Sequence, residues 1–419
     1  MSRAVADVIS TYVGMAIRTC IPLAMLPLLS HRLGVAAFGS VLAAQSLALL
    51  GALLTGYGFQ LSATRDIGIS KNTTQIQGVV ERVINAQLPL AGLTAIVVAC
   101  ACWLTPALGS SAIFVLATPL LSVFTGLYPT WYFQGRGRIV RGLMIDAAGQ
   151  IAALGGIFFL AHDTDSAGLS LSLMVLGSAI SLCLAVCIIW RDGMLKIALS
   201  SREAIKMLRE GLPLFLARMG SATYTVAGAW FLVAFSTPAQ AAYYGVASKL
   251  VSAMLLALAP VAQITLPRAS RLAVEAPEHI PLFVMKWGLV LLGIALLTSM
   301  SVRWAAPSII SFIFPADMMP AVGVTKFLAL TVIASAFSVS LSTFLAIPFR
   351  KDGIVTLATA VGAVVNFAAA LVFAASMGAQ GVAIGRLGSE IVIVLVMGIA
   401  MAWMQPWRKT DRAAKRALT

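Results

Sequence analysis

Apolar residues fill this chain in runs of about twenty, broken by short polar gaps, and the runs are continuous rather than alternating. Continuous apolar segments of that length match the roughly 30 Å hydrocarbon core crossed by a helix. A membrane β-strand would be shorter and would alternate, so helices are expected throughout. The pattern predicts twelve spans, near Val8–Ser30, Phe38–Gln60, Val83–Thr105, Ser111–Phe133, Leu143–Ala161, Leu169–Ile189, Leu212–Phe235, Ala241–Leu266, Phe283–Val302, Ala321–Ile347, Ile354–Ser376 and Val382–Trp403.

The polar gaps are of two kinds. Twenty-two of the 29 lysines and arginines fall in the tails or in every second gap, among them Arg65, Lys71, Arg136, Arg138, Arg268, Arg271, Arg350 and Lys351. The other set of gaps holds only Arg32 and Arg303. Basic loops stay in the cytoplasm, so both termini are expected there. The chain is 60% hydrophobic and 11% charged, against about 25% charged in a soluble domain. Its formal charge of +14 is therefore read as topology charge and not as a nucleic-acid footprint. Within the basic tail 404–419, the stretch Trp407–Thr419 is expected to touch anionic lipid headgroups.

The longest cytoplasmic gap, Trp190–Gly211, parts six spans from six. It divides the chain into an amino-terminal lobe 1–198, a linker helix 199–211 and a carboxyl-terminal lobe 212–403. Ser200 and Glu203 have capping-box spacing, and Ile205, Leu208 and Leu212 follow at helical spacing, as in a helix lying on the inner leaflet. The halves echo each other: each opens on a span holding an arginine, Arg18 and Arg218, as in parallel-repeat transporters. Outward loops are short. The exception, Arg303–Pro320, contains an apolar stretch, Ile309–Phe314, expected to dip back into the outer interface. The first apolar run reads as a retained span without a cleavage signal. The five cysteines lie in predicted spans and the three histidines stand isolated in loops, so no disulfide framework, metal site or cofactor is expected.

Charged groups at membrane depth are costly and usually functional. Seven qualify: Arg18, Asp146, Arg218, Lys249, Lys326, Arg386 and Glu390. Arg18 lies near mid-depth, too deep for comfortable snorkelling. Arg218 and Lys249 are shallower, and Lys326 is close enough to the outer face to snorkel. Arg386 and Glu390, four residues apart, form either a structural pair or an ion-coupling site. Asp146 either pairs with a neighbouring arginine or takes a proton. Five of the seven are cationic, so a cavity shared by them would suit an anionic substrate. No cluster of His, Asp, Glu or Ser has catalytic spacing and no outward loop is large enough to carry chemistry, so the chain is not expected to be an enzyme.

Four stretches carry a family resemblance. GYGFQLSATRDIG at Gly56–Gly68, LYPTWYFQG at Leu127–Gly135, AAYYGVASKL at Ala241–Leu250 and ITLPRAS at Ile264–Ser270 resemble the polysaccharide transport family. Its members are the O-antigen flippases of the multidrug/oligosaccharidyl-lipid/polysaccharide exporter superfamily. The resemblance implies two six-helix lobes around a central cavity. It also implies flipping of an undecaprenyl-diphosphate-linked oligosaccharide to the periplasmic leaflet of the bacterial inner membrane, driven by H+ or Na+. Arg18 stands where related lipid-linked precursor flippases keep first-span arginines, and Arg18, Arg218 and Lys249 become the expected substrate-binding residues. Polysaccharide-assembly proteins are the implied partners. A multidrug or cation antiporter of the same superfamily is the rival. It would want more acidic groups in the first lobe than Asp146 alone. A membrane polymerase or ligase would need a large outward loop.

Overall fold

In a computed structural model the chain is helical, with no strand among the described residues. The structure describes residues 3–163, 166–195 and 225–405, with 205, 207–209, 211–212, 215, 219–220 and 407; side chains are described from Cys20 onward. The linker helix 199–211 and the basic tail 404–419 fall largely outside them.

Among the described residues eight helices are long and apolar enough to cross a membrane, or nine if a bent pair counts as one span. The chain is an all-α multi-pass membrane protein. Two helices are of double length: α1, Arg3–Gly56, with 54 residues, and the last, Asp352–Met404, with 53. At about 1.5 Å per residue either would run far beyond a bilayer core. Each is broken once by a glycine with positive φ, Gly34 (69°) and Gly378 (56°). Both breaks lie in gaps predicted between spans, so each double helix supplies two of the expected crossings.

Between them come α2 (Phe59–Ile69), α3 (Thr73–Leu104), α4 (Ala112–Leu127), α5 (Thr130–Gly135), α6 (Ile139–Leu160) and α7 (Ala167–Arg191). There follow α8 (Gly228–Phe235), α9 (Pro238–Leu255), α10 (Ala259–Glu275), α11 (Ile280–Ile313) and α12 (Ala321–Leu341). A π-turn at Ser342–Ala346 leads toward α13, the double helix Asp352–Met404. The α9–α10 pair bends by 42°. Local chemistry explains several ends. Asn72 caps α3 by accepting from Gln75 N (3.0 Å), while Gln75 Oε1 accepts from Lys71 N (2.8 Å), a reciprocal cap.

The stretch Ile309–Phe314 does not dip back. It continues α11 to Ile313, and Phe314 N closes the last turn on Ile310 O at 2.9 Å. Continuing the helix satisfies backbone groups that a re-entrant loop would leave needing partners.

Two compact units emerge: Met1–Ala222 with Thr237–Ala242, and Thr223–Ser236 with Tyr243–Thr419. In the first, α1 packs against α3, α4 and α6, and α4 and α6 both pack on α7. In the second, α12 lies between α11 and α13, and α8 packs on α13. Small residues let these helices approach. A Cβ on Gly149 of α6 would stand 2.1 Å from Gly177 O of α7, and one on Gly177 would stand 2.4 Å from Gly149 O. Such backbone-to-backbone contact drives helix association where lipid gives no hydrophobic incentive. Large apolar side chains such as Trp304, Phe312 and Trp403 are exposed instead, as a lipid-facing surface requires.

Candidate functional site

The polar site of the first unit forms where two helices break. The chain leaves α1 through Tyr57 (φ 42°) and Gly58 (φ 87°), and α4 passes to α5 through Tyr128 and Pro129. Pro129 has no N–H, and Thr130 N turns back to Tyr128 O (2.9 Å), so the carbonyls of Thr125 and Gly126 lose their usual helical donors. Gln87 Nε2 of α3 reaches Gly126 O at 3.5 Å. Tyr57 stacks on Phe215 with ring centroids 4.5 Å apart, which holds the strained turn. Irregular backbone at membrane depth is tolerated where it lines a cavity, and both breaks line one here.

That cavity is about 230 Å³, lined by Gln60, Gln87, Thr130, Trp131, Asp146 and Ser181 among others. Asp146 enters from α6. Gln150, one turn on, donates Nε2 to Asp146 Oδ2 at 3.1 Å. Ser181 Oγ of α7 donates to the carbonyls of Ile145 and Asp146 at 3.3 and 3.2 Å. Tyr128 Oη donates to Gly142 O at 2.6 Å, fixing the α4–α5 break on α6. Two buried groups are unsatisfied: Trp131 Nε1, a donor, and Gln150 Oε1, an acceptor.

A second polar cluster sits inside the second unit on α12 and α13. Arg386 is 2% exposed and Glu390 6%, so both charges are withdrawn from lipid and water. The hydroxyls of Ser335 and Ser338 face the Glu390 carboxylate, Ser338 Oγ at 3.4 Å. Asn366 packs beside Gly385. Among the described residues no carboxylate closes an ion pair on Arg386, and its Nε and Nη1 have no hydrogen-bond partner; Asn366 Nδ2 has none either.

The remaining sequence candidates lie on other elements. Lys249 is half-buried on α9, and Lys326 is half-buried on α12, where its carbonyl accepts from Arg303 Nη1. Arg18 lies within α1 with its side chain outside the described set, and Arg218 is outside it altogether. Arg386 and Glu390 thus share one cluster, while Asp146 belongs to a cavity within the first unit. Sequence reasoning missed Gln60, Gln87, Gln150 and Trp131 as site residues. The available signal was Pro129 at one span end and Tyr57–Gly58 at another, two breaks that only folding brings together. Among the described residues no group of three or more His, Cys, Asp or Glu could hold a metal ion.

The family model for polysaccharide biosynthesis proteins matches residues 4–273, more than half of the chain. The chain belongs to this family. It is 24% identical over 383 residues to a Shigella dysenteriae protein assigned as an O-antigen transporter, covering 90% of this chain and 94% of that one. An Escherichia coli K12 protein of the same assignment is 22% identical over 252 residues, covering 60% of this chain and 61% of that one. Among solved structures, the lipid II flippase MurJ in an inward closed conformation aligns with a TM-score of 0.72 at 14% identity, over 95% of this chain and 87% of MurJ. An inward-facing multidrug resistance MATE family transporter aligns with a TM-score of 0.71 at 16% identity, over 97% and 99%. These likenesses establish the MATE- and MurJ-like fold of this member of the polysaccharide biosynthesis family.

Proposed function

We propose that this chain is a flippase. It carries an undecaprenyl-diphosphate-linked oligosaccharide from the cytoplasmic to the periplasmic leaflet of the bacterial inner membrane, with both termini cytoplasmic. The observation that carries the reading is the end-to-end match to the O-antigen transporter of Shigella dysenteriae, within a family of polysaccharide biosynthesis proteins. The helical fold supports it, since a MurJ lipid II flippase shares it.

In this reading the two six-helix lobes, 1–198 and 212–403, rock about a central cavity while the polyprenyl tail stays in lipid. Arg18, Arg218 and Lys249 hold the diphosphate, because opposite charges attract strongly where water is scarce. Asp146 and the Arg386–Glu390 cluster are the groups available to couple transport to H+ or Na+. Buried charge without a closing counter-charge, as at Arg386, is costly to keep for structure alone.

The test is complementation of a deletion strain at matched protein level, reading surface polysaccharide on gels. Arg18→Ala and Lys249→Ala should each cut export at least tenfold, and Arg18→Lys should restore part of it. Full export by both alanine variants would remove these residues from the mechanism. A deletion strain with intact surface polysaccharide and raised drug susceptibility would replace the flippase reading with the antiporter one.

A further inference from the structure

We infer that the cavity of the first unit, where the α1–α2 and α4–α5 breaks meet Asp146, is a sugar-binding subsite. It would hold one neutral ring of the lipid-linked saccharide; this inference rests on the flippase reading. Among the described residues the lining carries one carboxylate and no basic side chain. A diphosphate would be repelled there, so the anionic part of the substrate must lie elsewhere. What remains is a set of amides, hydroxyls, one carboxylate and three aromatic rings, those of Phe124, Tyr128 and Trp131.

That set matches a carbohydrate ring. Sugar hydroxyls both donate and accept, so they pair with carboxylate and amide groups in turn, while the ring's C–H faces lie on aromatic surfaces. One lining residue has an unsatisfied atom of the same kind. Trp131, 2% exposed, has a buried indole N–H with no acceptor, while Gln150, outside the lining, holds Asp146 through its amide. Buried polar atoms seldom stay unpaired, because leaving one so costs more than a hydrogen bond returns. A sugar hydroxyl or acetamido oxygen would accept from the indole N–H. The volume of about 230 Å³ lies just under the range of roughly 300–1,000 Å³ for small-molecule pockets, room for a single ring and not for a chain. Broken helices are where transporters of this general design place their substrate contacts.

The experiment uses the purified full-length chain, with lipid-linked saccharides extracted from the producing bacterium and undecaprenyl diphosphate as the sugar-free probe. Retention is read by native mass spectrometry. Wild type should retain the sugar-bearing lipid at least tenfold better than undecaprenyl diphosphate. Asp146→Asn, which is near-isosteric, and Trp131→Phe, which removes the indole N–H, should bring the two within twofold by lowering retention of the sugar-bearing lipid. Thermal denaturation within a few degrees of wild type would show that the variants fold. An unchanged preference in both variants would overturn the subsite and leave the flippase reading standing. Failure of wild type to retain either lipid would overturn both. Preserved preference with lost dependence of transport on the H+ or Na+ gradient in Asp146→Asn would make the cavity a cation site and overturn the sugar assignment.

Discussion

At the scale of single residues, the arginines sort by what meets them. Arg32 and Arg303 break the cytoplasmic pattern of positive charge, and the structure accounts for both. Arg32 Nη1 donates to the carbonyls of Phe158 and Ala161, each at 2.6 Å, at the carboxyl end of α6, and the guanidinium stacks 5.2 Å from the Phe158 ring. Cations are favoured at that end of a helix, where carbonyls lack partners. Arg303 Nη1 donates to the Lys326 carbonyl near the start of α12, tying α11 to α12. At the other face, Asp192 accepts from Tyr132 Oη (2.7 Å) and Arg138 Nη1 (2.8 Å), tying the end of α7 to the α5–α6 turn. Replacing Asp192 with Ala leaves the hydroxyl of the buried Tyr132 without its acceptor and should cost about 1–2 kcal/mol, seen as a lowered melting temperature in detergent. Arg386 behaves differently, being buried with open donors. Arg386→Met alone leaves Glu390 buried without its nearest positive charge and should destabilise. The double variant Arg386→Met/Glu390→Gln should recover to within about 1 kcal/mol of wild type. Export by that stable double variant distinguishes a structural pair from a coupling site: the coupling reading requires export to be lost.

At the scale of elements, the spacing of apolar runs made the helices legible, because backbone in lipid has few ways to satisfy itself. Glycine-bearing gaps near Gly34 and Gly378 were legible too. What the pattern did not reveal was that helices α6 and α7 touch backbone to backbone at Gly149 and Gly177, since many glycines in such helices touch nothing; Gly155 and Gly398 meet open space. Gly149→Leu should therefore abolish folded protein on size-exclusion chromatography, whereas Gly155→Leu should leave the yield within about twofold. The apolar stretch Ile309–Phe314 misled for the opposite reason. The stretch lies between Pro307 and Pro315, yet Pro307 sits inside α11, whose helix simply continues.

At the scale of the whole molecule, the predicted topology follows from charge alone and is testable without any site hypothesis. In a cysteine-free background, single cysteines replacing Lys71, Arg136 or Arg350 should resist an impermeant maleimide in intact cells. Cysteines replacing Asp163 or Ser236 should react. Labelling of the first set from outside would invert the orientation.

The amino-acid sequence by itself determined that this chain is a helical multi-pass membrane protein and that its basic residues gather in alternate gaps. Those properties depend on composition and period along one dimension, which the bilayer reads directly. Tertiary structure alone decided which charged side chains keep company. It set Asp146 in a cavity built from two distant helix breaks, buried Arg386 and Glu390 together on α13, and placed Lys249 half-buried on α9. Side chains from remote segments meet only when helices pack, and packing is governed by small-residue contacts and freed carbonyls that carry no periodic signature.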